Sequence, residues 1–183
     1  MKFRFLRVFG LCLAALIVSA GMVACKPSPP ASESEVPMFT LTSTAFKDGE
    51  TIPVKFTCSG EDLSPQLAWT DLPTGTQSLA LIVDDPDAPV GTFVHWVLFD
   101  ISPQLNELPE DASAVGIDGS NSWRRNGYGG PCPPPGKPHR YFFKLYALDK
   151  KLGLKPGATK SDIEKAIQGH ILARAQLMGK FGR

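Results

Sequence analysis

Two stretches of this chain carry side chains that can recognise a small charged molecule. The first is Asp84-Asp85-Pro86-Asp87-Ala88-Pro89, three acids in four positions followed by a second proline. Proline fixes φ, so a loop of this composition sends its carboxylates in set directions. Acid-proline clusters are also ordinary surface turns, and the loop alone does not define a site. Ten residues after Asp85 comes His95-Trp96. Strand alternation would put His95 on one face with Phe93, Val97 and Phe99. A histidine on an apolar face is usually a satisfied core residue. It becomes a ligand group only if a carboxylate orients one ring nitrogen and leaves the other free.

The second stretch runs Gly127-Tyr128-Gly129-Gly130-Pro131-Cys132-Pro133-Pro134-Pro135-Gly136-Lys137-Pro138-His139-Arg140-Tyr141. Its glycines let backbone approach a ligand closely and present N–H groups as an anion nest. Its prolines stiffen the loop and reduce the entropy lost on binding. His139 and Tyr141 stand two apart at a strand start, so they face the same way. One offers an imidazole and the other a phenol.

The chain has four cysteines. Cys12 lies in an apolar leader and Cys25 at its end. Cys58 and Cys132 remain, either as a disulfide or as two separate buried thiols; spacing does not decide, because a bridge needs a particular Cα separation. No C-x-x-C or H-x-x-x-H pattern accompanies them, so no metal and no cofactor are expected.

Positioning these groups falls to strands. Ser78–Asp84 is a continuous apolar run, as in a strand buried on both faces. Phe93–Asp100 and the aromatic-rich Tyr141–Leu148 read as further strands, with shorter ones at Phe39–Ser43 and Val54–Thr57. The 17 prolines and 17 glycines suit turns between short strands. The expected fold is all-β in the main, an antiparallel β-sandwich. One helix is expected at the C-terminus: Ser161-Asp162-Ile163-Glu164 reads as a capping box, Ile163, Ala166, Ile167, Ile171 and Leu177 follow at helical spacing, and Gly179 reads as its stop.

Residues 1–24 read as a signal peptide, with Lys2, Arg4 and Arg7 before the apolar run Val8–Val23. Ala20-Gly21-Met22-Val23-Ala24 before Cys25 resembles a bacterial lipobox, which implies acylation of Cys25. Plain cleavage nearby and a retained anchor are the alternatives. Residues 25–37, rich in Pro, Ser and Glu, form a flexible tether, and residues 38–183 form one domain. The protein is therefore expected to be exported and lipid-anchored to the cell envelope. Lys26, in place of the Asp that retains lipoproteins at an inner membrane, favours the outer membrane, facing the periplasm. The formal net charge is +1 with no basic stripe, so nucleic acid is not an expected partner.

Taken together, DPDAP…HW and GYGGPCPPPGKPHRYFFKLYALD resemble the two signature blocks of the phosphatidylethanolamine-binding protein family, nearest to its bacterial Raf kinase inhibitor-like branch. Cys58-Ser59-Gly60-Glu61-Asp62-Leu63-Ser64-Pro65-Gln66-Leu67-Ala68-Trp69 resembles an early block of that branch. The resemblance spans the chain from Met38 to its end. It implies a β-sandwich with a C-terminal helix, short peripheral helices, and a shallow pocket for phosphate, phosphorylethanolamine or acetate-like anions. By motif position the ligand residues are Asp85, Asp87, His95, the Gly130 amide, His139 and Tyr141, with Trp96 and Pro131 as walls. Many relatives close the pocket with a C-terminal tyrosine; this chain has Phe181 in that segment, without a hydroxyl. A binding or regulatory module is the leading expectation. Inhibition of a periplasmic or extracellular protease is the alternative. A hydrolase is less favoured, because no G-x-S-x-G elbow is present and prolines flank Cys132.

Overall fold

A computed structural model describes residues 36–112 and 114–183. The signal peptide, Cys25 and nearly all of the tether lie outside the described residues. The elements in chain order are β1 (Thr40–Thr42), a 3₁₀ turn (Val54–Phe56), β2 (Leu67–Thr70), β3 (Ser78–Asp85), β4 (Phe93–Ile101), β5 (Glu107–Leu108), β6 (Ile117–Asp118), β7 (His139–Leu148), α1 (Lys160–Ala166) and β8 (Ile171–Phe181).

The strands form a three-stranded sheet, β1-β2-β5, and a five-stranded sheet, β6-β4-β3-β7-β8, with antiparallel pairing throughout. Every residue of β3 is buried, which is why its sequence reads as unbroken apolar residues. Leu79, Leu81 and Val83 face the main core, where they meet Leu41, Trp69 and Leu108 of the smaller sheet. Ala80 and Ile82 face the other way, onto Ile163 and Ile167 of the helical segment. The mainly-β expectation holds.

Two elements differ from the sequence reading. Val54–Thr57 is not a strand. Both the N–H and the hydroxyl of Thr57 bond back to the Val54 carbonyl, at 3.0 and 2.8 Å, so the segment closes on itself. The C-terminal helix is one short element followed by a long strand. Its cap lies before Ser161: the Thr159 side chain accepts from the Asp162 N–H, and the Asp162 carboxylate accepts from the Thr159 N–H. Gly169, at φ 76°, turns the chain after the helix. Beyond it Ala173, Ala175, Leu177 and Phe181 alternate into the core with period two, and β8 pairs with β7 along its length. Gly179 is not a helix stop. It lies opposite Tyr141, and a Cβ there would sit 2.4 Å from Ile52 Cγ1.

A third difference concerns His95. β3 pairs Val83 with Trp96 but Asp84 with Val94, so His95 is the extra residue of a β-bulge. The bulge breaks the alternation. Val97 and Phe99 pack on the α1 side, whereas His95 lies against Phe93 and Tyr141 on the face shared with Asp85.

Because the cap is Thr159, Thr159→Ala will cost about 1 kcal/mol of unfolding free energy. Ser161→Ala, inside the helix, will stay within about 0.5 kcal/mol. Urea unfolding of the two variants checks the difference.

Candidate functional site

Alternation at the end of β3 turns successive carboxylates to opposite faces. Asp84, fully buried, faces α1 and holds the ammonium groups of Lys144 and Lys160, at 2.8 and 2.5 Å. Asp85 faces the other way, towards β7. Its Oδ1 accepts the Asp87 N–H at 2.8 Å, and its Oδ2 lies 2.7 Å from His139 Nδ1. A carboxylate oxygen can only accept, so Nδ1 carries a proton and Nε2 is the nitrogen left for a ligand. Both partners are buried, which shields this contact from solvent screening.

His95 is fixed by backbone. Its Nδ1 donates to the Gly129 carbonyl at 2.8 Å and shares that proton with the Gly130 carbonyl at 3.1 Å. Burial pushes its pKa down, partly opposed by these carbonyls and by the charge of Asp85. The ring is therefore held neutral at ordinary pH, with Nε2 bare.

Tyr141 lies two residues along β7 from His139 on the same face, with its ring edge-on to His95 at 5.1 Å. It is fully buried, and its hydroxyl has no hydrogen-bond partner among the described residues. Burial, and then the negative charge of Asp85, push the phenol up, so it stays protonated and keeps a donor to offer. A buried, unpaired hydroxyl costs free energy unless something absent from the protein alone completes it.

A cavity of about 250 Å³ opens here, lined by Asp85, His95, His139, Phe93, Trp123 and the residues of the acid-proline and proline-rich loops. Among the described residues, no three His, Cys, Asp or Glu side chains gather so as to hold a metal ion.

The remaining site residues named from the sequence have other duties. Asp87 accepts from Nε, Nη2 and the backbone N–H of Arg140, at 2.8, 2.7 and 3.0 Å. That fork holds its carboxyl down at about 2 and pins the acid-proline loop to β7. The Gly130 N–H points to Asp62 Oδ1 at 2.7 Å, and a Cβ at Gly130 would meet the Phe56 carbonyl at 2.5 Å. Trp96 is a core residue: its indole donates to Asp118 and its ring packs on Tyr128. Pro131 is buried, with its carbonyl taking the Cys58 N–H, while Pro133 and Pro134 line the cavity. Phe181 stands opposite His139 in the β7–β8 register and is buried in the main core. The chain end folds back instead through Arg183, which donates to the Pro133 carbonyl at 2.6 Å.

One wall residue escaped the sequence reading. Trp123 packs edge-on against Phe93 and His95, at 4.6 and 5.1 Å. Two signals point to it. Asn121 Oδ1 accepts from the N–H groups of Trp123 and Arg125, a local turn that Asn favours. Gly129 leaves the space the indole occupies, since a Cβ there would lie 2.5 Å from it.

Cys58 and Cys132 are bonded, with Cα atoms 5.4 Å apart. The two-thiol alternative does not hold. Cys132 lies on the cavity wall, but its sulfur is committed to the bridge and offers no thiolate.

A family model described as phosphatidylethanolamine-binding protein matches residues 42–182. A UPF0098 protein of Aquifex aeolicus is 53% identical over 148 residues, 77% of this chain and 86% of the relative. Among solved structures, a putative phosphatidylethanolamine-binding protein homologue from Chlamydia trachomatis, CT736, superposes with a TM-score of 0.77 at 41% identity, covering 80% of this chain and 98% of the other. YbcL of E. coli, described as a new member of the mammalian PEBP family, superposes with a TM-score of 0.75 at 31% identity, covering 79% and 98%.

The bridge closes a loop with a sequence separation of 74. On chain entropy alone, a loop of that size corresponds to about 4 kcal/mol of stability. Reduction will therefore lower the thermal midpoint strongly, as differential scanning fluorimetry with and without dithiothreitol will show. The Cys58→Ser/Cys132→Ser double variant will match the reduced protein.

Proposed function

The chain belongs to the phosphatidylethanolamine-binding protein family, and from that membership we propose that it is an exported, regulatory module that binds small phosphate-type anions. Phosphorylethanolamine and free phosphate share the chemistry concerned. The observation that carries this reading is the buried Tyr141 hydroxyl without a partner, flanked by two imidazoles whose Nδ1 atoms are both occupied. His95 and His139 line the cavity and donate from Nε2 once protonated, and the Tyr141 hydroxyl, whose ring stands edge-on to His95, is a donor throughout. Phosphate oxygens accept from all such groups, while Asp85, both of whose oxygens are already bonded, orients His139 and adds only its negative charge to the field an ammonium would meet. A cavity of about 250 Å³ is smaller than the usual drug-sized pocket, in keeping with a headgroup or inorganic anion.

The charge balance sets the pH behaviour. His95 is held neutral by burial, so in the free protein its Nε2 can only accept. A bound anion favours the imidazolium, which can donate. Affinity for an anion of constant charge will therefore rise as pH falls from neutral towards the depressed His95 value.

Thermal-shift titration tests this with phosphate, phosphorylethanolamine and sulfate, the last because its charge is constant near neutrality. Stabilisation by all three is expected, with sulfate affinity increasing on acidification. Tyr141→Phe will weaken binding about threefold to tenfold, the worth of one hydrogen bond, and His139→Ala will abolish it. No shift at millimolar ligand would overturn the reading.

For the N-terminus we propose acylation at Cys25 and attachment to the outer membrane, facing the periplasm. The support is the run of small residues before that cysteine. More than one acyl chain anchors stably where one does not. Mass spectrometry of the mature protein will find diacylglycerol on an N-terminal Cys25; an unmodified Cys25, or cleavage elsewhere, refutes the anchor.

A further inference from the structure

Asp62 lies outside the cavity lining and outside every site residue named from the sequence. Its Oδ1 accepts the Gly130 N–H at 2.7 Å. That N–H belongs to the peptide whose carbonyl is Gly129 O, the acceptor 2.8 Å from His95 Nδ1. In a trans peptide the N–H and C=O point in opposite directions. Asp62 and His95 thus grip the two ends of one amide plane.

The two grips are not interchangeable. If this peptide turned over, its carbonyl oxygen would face a carboxylate and its N–H would face the imidazole. A carboxylate only accepts, so it selects one orientation, whereas a neutral amide side chain could serve either. The surrounding glycines make selection necessary, because Gly129 and Gly130 carry no side chain to hold the plane. The backbone near Asp62 is itself fixed. The Asp62 N–H donates to the Lys55 carbonyl at 3.1 Å, Tyr128 Oη donates to the Phe56 carbonyl at 2.7 Å, and the Cys58–Cys132 bridge joins the same two segments. Asp62 sits at φ 61°, a conformation Asp and Asn tolerate better than most residues.

We propose that Asp62 is a positioning residue for His95: its carboxylate fixes the orientation of the Gly129–Gly130 peptide, and the carbonyl of that peptide fixes which nitrogen of His95 carries the proton. The chain of hydrogen bonds runs carboxylate, peptide, imidazole, and each bond polarises the next. The nitrogen presented to the cavity is therefore set from behind the site. His95 is also faced by the carbonyl of Gly130, by the charge of Asp85 and by the rings of Tyr141, Phe93 and Trp123. Of these only the Gly130 carbonyl reaches its Nδ1, at 3.1 Å against 2.8 Å for the Gly129 carbonyl.

The test is the tautomer of His95, read by long-range 15N–1H NMR on the full chain. The wild-type protein will show the Nδ1–H form near neutral pH. Asp62→Gly keeps the backbone conformation accessible and removes the carboxylate. It will show a mixture of tautomers or the Nε2–H form. Asp62→Asn retains an acceptor and will restore much of the Nδ1–H signal, while its His95 titrates lower because a nearby negative charge is gone. Glu61→Gln, a charge loss one residue away, will leave the tautomer unchanged. The ligand arm rests on the anion-site reading: inorganic phosphate will bind Asp62→Gly about threefold to tenfold more weakly than wild type.

A wild-type His95 in the Nε2–H form overturns the proposal. So does a folded Asp62→Gly protein with an unchanged tautomer. If Asp62→Gly fails to fold, an Asp62→Asn protein with an unshifted His95 titration does the same. Failure of phosphate to bind wild type, with the tautomer shift present, supports the positioning role and removes only the anion reading.

Discussion

A buried carboxylate must be paired, and β3 ends in two of them. Because side chains alternate along a strand, Asp84 and Asp85 cannot share a partner. Asp84 is satisfied by Lys144 of β7 and Lys160 of α1, which draws the helix onto one face of the sheet. Asp85 is satisfied by His139 of β7 and by the backbone of its own loop on the other face. The same strand end thus anchors the helical layer and orients an imidazole. The depth of β3, with every residue buried, makes both pairings obligatory.

The rest of the site is arranged around that fixed point by departures from regular structure. The bulge at His95 turns a residue that alternation would send under the helix onto the face of Asp85 and Tyr141. The Gly-Pro loop supplies the carbonyls that hold it, and the 54–62 segment in turn supports the loop through Asp62, the Cys58 N–H and the disulfide. Arg183 holds the same loop from the chain end. A loop tied at several points loses little entropy when a ligand arrives, which suits a small cavity with few contacts to offer.

Much of this was legible in the residues. The four main strand segments follow from periodicity and the family from two linked motifs; the grouping of Asp85, His95, His139 and Tyr141 was what the family resemblance implied. The errors have physical causes. Ile167 and Ile171 are four apart, which suits a helix, and Ile171 and Leu177 are an even number apart, which suits a strand, so a strand behind Gly169 read as more helix; the turn glycine was the deciding residue. A bulge leaves no mark in composition, so the face of His95 could not be read from alternation. Asp87 and the Gly130 amide were expected to meet the ligand, but motifs do not reveal that Arg140 and Asp62 occupy them. Trp123 was hidden because its ring partners, Phe93 and His95, are distant in sequence.

The electrostatics favour a site that responds to its ligand over one built around permanent charge. A cavity that held two fixed imidazolium ions would bind anions tightly at any pH, but burial opposes charging His95. A neutral His95 avoids that desolvation cost in the empty protein, and under the anion reading it gains its proton with the ligand. Asp85 serves the same end differently: it shares the proton of His139 Nδ1 and tempers the positive field an anion would meet. The Tyr141 hydroxyl, with no partner among the described residues, is the donor that the protein itself leaves uncommitted. It is tolerable because a phenol is neutral, whereas a lysine in its place would need a counter-ion in a cavity whose nearest carboxylate already belongs to His139.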